Sequence, residues 1–425
     1  MMTSLQKAAI AAICALSLPT VASAQFSVVK VPGSTPNSFT AINNSSQVVV
    51  NIANPSGFNV SLWSRQGGYQ DRGLTGVTSS GAAINGSGDI VGAGLPTQSG
   101  ISQAFLWDGT AGTQWLGSLG GGLSAASGIN DSGAVVGLSY TATYNQHAFL
   151  WTQANGMQDL TPDLTSIGGA TAVAINSSNQ VAGYYFPNGS RTAVGFSWTQ
   201  AGGIQNIGPA GTIALAINDS ATVVGQSPNA QGYKHAFMWS ESAGMTDLGT
   251  LGGGSSSAVG INNKGWIVGT SLTTATGGLL HAFLWMPSKG IQDLNVLAGI
   301  SNGLQPYSVQ VNDAGVIAIS TNKGLEVLVP KMIATITSSV NPSVVGQPVT
   351  FTAKVTSIAG PPPDGETVDF TIAGSLLGTV PLKNGVAQLT TSSIAVGSYV
   401  VAVSYHGDAN YLPNNRTYVR QVVNP

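Results

Sequence analysis

The chain has 425 residues, a formal net charge of −2 and only 7% charged residues, against about 25% in an average soluble domain. That charge pattern gives no electrostatic footprint for nucleic acid or an anionic membrane, and a hydrophobic fraction of 43% is enough to build a core rather than leave the chain disordered. Glycine is abundant, with 56 copies, and hydroxyl and amide residues replace charges, which suits a turn-rich β protein outside the cell.

At the N-terminus, Lys7 precedes an apolar run, Ala8 to Leu18, and the small-residue site Ala22-Ser23-Ala24. This order predicts a secretory signal over residues 1–24 and a mature chain that starts at Gln25. The run is too short to span a bilayer comfortably. It contains the only cysteine, Cys14, so the exported chain is expected to have no disulfide and no thiol chemistry. No later stretch is long and apolar enough to cross a membrane, so the mature chain is expected to be extracellular without a span.

From residue 38 onwards a phrase recurs: Ala/Gly-Ile-Asn, a polar turn, then Val-Val-Gly or a variant. Its asparagines are Asn43, Asn85, Asn130, Asn176, Asn218 and Asn262, with a divergent seventh at Asn312, spaced by 42, 45, 46, 42, 44 and 50 residues. A second phrase, His-Ala-Phe-Leu-Trp at its fullest, places Trp107, Trp151, Trp198, Trp239 and Trp285 in register. A third ends on Asp159, Asp247 and Asp293. Each unit reads as four short strands, and four strands in about 40–45 residues is the period of a propeller blade. The seventh unit stops at Pro330 without a fourth strand, while an orphan strand, Phe26 to Val31, precedes the first unit. Pairing the two closes a ring and removes its edges. The fold expected is all-β: a seven-bladed β-propeller over residues 25–330, closed by its N-terminal strand.

The Ile-Asn-x-x-Gly-x-Val-Val-Gly and His-Ala-Phe-Leu-Trp phrases resemble the HAF-type extracellular repeat of bacteria, over roughly residues 26–330. That resemblance implies an extracellular protein and little about activity. After Pro330 the phrases vanish, and alternating strands separated by turns such as Pro361-Pro362-Pro363-Asp364-Gly365 predict a β-sandwich over residues 331–425. Val345-Gly346-Gln347-Pro348-Val349-Thr350-Phe351 and Tyr405-His406-Gly407-Asp408-Ala409-Asn410-Tyr411 resemble the bacterial Ig-like domain, group 3, which implies a spacer or adhesive module. Tyr399 is a candidate tyrosine corner.

The chemistry-bearing residues point away from catalysis. His147, His235 and His281 share one repeat position, but on separate blades they need not converge as metal ligands require; bonding within a blade or to the next is the expected role. The repeated aspartates, with Asp71 as a looser copy and Asn206 at the matching place in blade four, read as turn formers. The Asn-Asp turns offer too few carboxylates for calcium, which takes six to eight oxygens. The inner strands carry no charge, and no nucleophile elbow, zinc-protease or phosphate-loop motif occurs. No catalytic residue, no metal site and no cofactor are expected. Asn85, Asn130, Asn176, Asn218 and Asn262 and the five repeat tryptophans are assigned structural roles. The variable connections between second and third strands carry the candidate ligand-binding residues: Tyr140, Tyr144, Tyr184, Tyr185, Arg191, Tyr233 and Lys234. The reading is a secreted binding or adhesion protein for an extracellular glycan or protein. Two alternatives stay open: a secreted hydrolase or lyase on polysaccharide, drawing on a loop carboxylate such as Asp108 or Asp163, and a structural matrix component.

Overall fold

The repeat unit folds because its phrases alternate on a two-residue period and its turns are built from residues that tolerate left-handed backbone. The computed structural model describes residues 24–36, 38–54, 57–71, 79–97, 100–162, 167–274, 278–300, 306–414 and 416–425; the expected signal segment up to residue 23 and Asp163 lie outside them. Blade three shows the pattern. From the axis outwards it runs Gly120–Ile129, Val135–Thr141, Gln146–Thr152 and Gly156–Asp159, all antiparallel. Blades one, two, four, five and six repeat this order. Blade seven is made of Pro306–Val311, Ile317–Thr321 and Gly324–Pro330, and its outer strand is Phe26–Lys30, paired antiparallel from Phe26 with Pro330 to Lys30 with Glu326. The molecule is thus a seven-bladed propeller closed by its N-terminal strand.

The core lies between blades rather than within one. Val136 and Leu150 of blade three pack against Ala172, Val181, Phe196 and Trp198 of blade four, and the same layer recurs around the disc. The repeat phenylalanines Phe105, Phe149, Phe196, Phe237 and Phe283 are almost wholly buried, worth about 2–3 kcal/mol each by area. The glycine of the Val-Val-Gly phrase is dictated by a bulge in the inner strand. A Cβ at Gly137 would overlap the Ala125 carbonyl oxygen and sit 2.8 Å from the Phe149 ring. Small polar residues on the inner strand stitch neighbours together: Ser124 Oγ accepts from Ala104 N–H (2.8 Å) and donates to Gly117 O (2.5 Å), and Ser256 does the same with Ala236 (2.8 Å) and Gly249 (2.6 Å).

Two features depart from the sequence expectation. The Gly-rich links of blades three and six extend the inner strand to ten residues, Gly120–Ile129 and Gly252–Ile261. Between blades six and seven the chain forms a short helix, Leu294–Ala298, capped by Asp293 and ended by Gly299 in the left-handed region.

Beyond Pro330 two sheets pack face to face. One orders Ile333–Ser338, Val349–Thr356 and Val386–Thr391; the other Ser343–Val344, Thr417–Asn424, Gly397–Tyr405, Thr367–Ile372 and Ser375–Pro381. Phe351, Phe370, Val403 and Tyr405 fill the space between them. Tyr399 donates its hydroxyl to Val396 O at 3.3 Å, a corner bond of the kind the sequence suggests. No helix among the described residues is long and apolar enough to cross a membrane.

Candidate functional site

The disc has two faces. On one lie the turns that follow the inner strands, and there the repeat asparagines form a closed circle. Each donates its side-chain N–H to the backbone carbonyl of the next: Asn43 to Asn85 (3.0 Å), Asn85 to Asn130 (3.4 Å), Asn130 to Asn176 (2.9 Å), Asn176 to Asn218 (3.1 Å), Asn218 to Asn262 (3.1 Å), Asn262 to Asn312 (2.9 Å) and Asn312 back to Asn43 (3.1 Å). The Oδ1 atom meanwhile holds the local turn, as where Asn218 accepts from Ser220 and Thr222 N–H at 3.1 and 3.0 Å. One side chain type therefore shapes the turn and joins the blades.

The residue after each asparagine except Asn85 lines a small cavity of about 190 Å³ at the axial mouth, with Asp131, Asp219 and Asp313 among its walls. These carboxylates are those of the Asn-Asp turns, two residues beyond the uncharged inner strands, and their convergence at the axis was not expected from the sequence. They are engaged between blades. Asp131 accepts from Gly86 N–H (2.7 Å), Asp219 from Ser177 N–H (2.9 Å) and Asp313 from Asn263 N–H (2.7 Å), while the Asn263 amide bridges Asp219 (2.8 Å) and Asp313 (3.1 Å). Burial alone would raise the Asp219 carboxyl, but the bonds from Ser177 and Asn263 outweigh it and hold it below its usual value. No cluster of three or more His, Cys, Asp or Glu placed to hold a metal occurs among the described residues.

The three repeat histidines pair within their own blades. His147, His235 and His281 Nδ1 lie 2.7, 2.8 and 2.7 Å from Asp159, Asp247 and Asp293. In blade four Val194 and Asn206 occupy those places, and the Tyr185 hydroxyl reaches across to Asn206 Oδ1 at 3.3 Å. Asp108 closes its own turn, accepting from Thr110 (2.7 Å) and Ala111 (2.5 Å) N–H. The Ala111 and Thr110 bonds lower its pKa, which suits neither proton donation nor a hydrolase acid role.

The opposite face carries the hairpins between second and third strands, and the sequence-selected residues separate there. Tyr144 stands at a hairpin tip with φ 59° and is 76% exposed; Tyr233 is 59% exposed. Arg191 and Lys234 are exposed, Lys234 at the start of Lys234–Ser240. Tyr140 and Tyr184 are half-buried within strands Val135–Thr141 and Val181–Pro187, and Tyr184 packs edge-on against Phe186 at 5.8 Å. Tyr185 corrects the expectation: it points to the other side of its strand, is 9% exposed, and its hydroxyl is engaged by Asn206. Sequence reasoning missed Ile52, Ile101, Leu279 and Leu280, which are exposed on the same hairpin ends. These hairpins contain no Asp or Glu.

Comparison with known proteins identifies the second domain. Residues 336–424 match the family model of the bacterial Ig-like domain (group 3). No curated protein matches the chain. Among solved structures, the chain resembles the extracellular domain of BT4673 from B. thetaiotaomicron, described as a one-component system, with 10% identity, 95% of this chain and 58% of that one covered, and a TM-score of 0.45. It also resembles the extracellular domain of BT3049, described as a hybrid two-component system, from the same organism (11%, 95% and 55%, TM-score 0.40), and TolB from Acinetobacter baumannii (10%, 72% and 96%, TM-score 0.38). The chain thus spans less than two thirds of the two extracellular domains, and no ligand or activity transfers at this level of likeness.

Within the Ig-like domain, Glu366 is an acid held above its usual value. Burial, then the adjacent Asp408, raise its pKa, against the opposing effects of Tyr405 and His406. A carboxyl raised on folding gives full stability below its unfolded pKa and loses it as pH rises through the folded one. Glu366→Gln is therefore expected to raise the melting temperature at neutral pH, on the order of 1 °C, and to flatten the decline from acid to neutral pH seen by calorimetry. An unchanged pH profile would remove Glu366 from the account.

Proposed function

We propose that this chain is an exported, non-catalytic binding protein that presents its hairpin face to an extracellular glycan or protein. The observation that supports this most is the division of labour between faces. The turn face is consumed by inter-blade hydrogen bonds, whereas the hairpin face offers Tyr144, Tyr233, Ile52, Ile101, Leu279 and Leu280 to solvent with no carboxylate among its hairpins. Exposed tyrosine supplies a large contact area with a polar end and little conformational cost on binding. Export rests on the N-terminal Lys7, apolar run and Ala-Ser-Ala site, and the repeat region is read as HAF-type on its paired phrases.

The test is a glycan and peptide array probed with the mature full-length chain, followed by titration of any hit. Tyr144→Ala and Tyr233→Ala are each expected to weaken binding about tenfold or more, with melting temperature unchanged because both rings are exposed. Retained affinity in the double variant, or no hit with folded protein, would overturn the proposal.

A further inference from the structure

The Ig-like domain rests on the turn face of the propeller, and its contacts fall where the ring closes. Arg65 of blade one donates through Nη2 to the carbonyls of Asp408 and Tyr411 (2.9 Å to the latter) in the Ig-like domain. Ser46 of blade one donates to Asn410 Oδ1 at 2.6 Å. On the blade-seven side, Tyr411 donates to Ala314 O at 3.4 Å and Leu412 packs against the apolar layer between blades seven and one. Next to them, Lys264 of blade six reaches Ala359 O at 3.1 Å.

This places one loop, Asp408 to Leu412, across the joint between blades seven and one. The ring closes beside that joint. Every other blade is built from one continuous stretch of chain, but blade seven takes its outer strand, Phe26–Lys30, from the chain that leads into blade one, so the ring is held there by the pairing of Phe26–Lys30 with Gly324–Pro330 and by the Asn312-to-Asn43 bond. The Asn312 side chain also donates to Ser46 Oγ at 3.1 Å, and the Ser46 hydroxyl donates in turn to Asn410 Oδ1. The Ig-like domain thereby joins the asparagine circle at its closing link.

We infer that the Ig-like domain is a clasp that locks the propeller ring at its closing seam, rather than a free spacer. A clasp bonded to blade one and to the turn of blade seven penalises their separation, so it opposes parting of Phe26–Lys30 from Gly324–Pro330, where no covalent link does. It also fixes the Ig-like domain on the face opposite the hairpins and leaves the hairpin face clear.

Hydrogen exchange on the full-length chain tests this. Losing a hydrogen bond made by a charged group is worth on the order of a tenfold change or more in an opening equilibrium. Arg65→Ala is expected to speed exchange about tenfold in Phe26–Lys30 and Gly324–Pro330 while leaving Val135–Thr141 of blade three unchanged. Asn410→Ala, which removes a surface-loop side chain and spares the blade itself, should shift the same segments in the same direction. Should both variants exchange like wild type at the seam, with changes confined to residues 408–412, the clasp would be overturned. A uniform acceleration across all blades would overturn it equally, since that reports global destabilisation.

Discussion

Replacement of Gly225 by alanine is expected to leave little folded propeller, as at its repeat equivalents Gly92, Gly137 and Gly269, where an added methyl group meets the same backbone carbonyl. The inner strand of blade five is bulged between Ala214 and Ala216, which drives the Ile213 carbonyl toward the second strand at Gly225. A Cβ at Gly225 would overlap that oxygen and stand 3.0 Å from the Phe237 ring, itself buried at 1% exposure. Neither neighbour can give way: the carbonyl belongs to the sheet ladder and the ring is packed on all sides. Overpacking of this kind costs about 4 kcal/mol or more. Gly133→Ala provides the control. Gly133 has φ +77° but nothing within 4 Å of its Cβ direction, so only backbone strain applies, about 1 kcal/mol. Urea denaturation of the two variants should separate them clearly. Comparable midpoints would mean that the bulge relaxes and that the Val-Val-Gly phrase has another cause.

What was readable in the sequence depended on where each interaction's partner lies. Ring closure was legible because it is a matter of strand count: a fourth strand missing after Pro330 and a spare one at Phe26. The repeat histidines were readable as bonding within a blade or to the next, whereas Asp159, Asp247 and Asp293 read only as turn formers, although each lies 12 residues after its histidine. The second role of the asparagines was not, because the acceptor of Asn130 is a backbone carbonyl at Asn176, and main-chain atoms leave no mark on composition. The docking of the Ig-like domain was hidden for the same reason, since Arg65, Lys264 and Tyr411 all bind carbonyl oxygens. Tyr185 misled because Tyr184-Tyr185-Phe186 looks like one aromatic patch, yet a strand sends successive side chains to opposite faces. Its burial compensates for Val194 and Asn206, a coupling across three strands that only the sheet register reveals.

The asparagine circle makes the second large prediction. Asn218→Ala removes the donor to Asn262 O and leaves the N–H groups of Ser220 and Thr222 without their acceptor, at a site only 6% exposed. Each buried polar group stranded this way costs about 1–3 kcal/mol, so a loss of about 3–4 kcal/mol is expected in urea denaturation. Asn218→Asp divides that loss into its parts. The aspartate keeps an oxygen for the turn but, when ionised, sets a carboxylate against the Asn262 carbonyl, where no donor remains. Desolvation and that repulsion favour the protonated acid, against the two turn N–H bonds that favour the anion, and with the carboxylate set against a carbonyl the folded-state pKa is expected above the unfolded one. Stability of Asn218→Asp should then be nearest wild type in acid and fall as pH rises through the raised value, while the Asn218→Ala deficit stays flat with pH. A pH-independent Asn218→Asp deficit would show that the inter-blade bond contributes little and that the turn alone explains the asparagine. The same pair at Asn312 carries a further consequence, because there the circle closes across the seam and the lost donor also served Ser46. The deficit at Asn312 should therefore exceed that at Asn218, with the excess appearing as faster exchange in Phe26–Lys30.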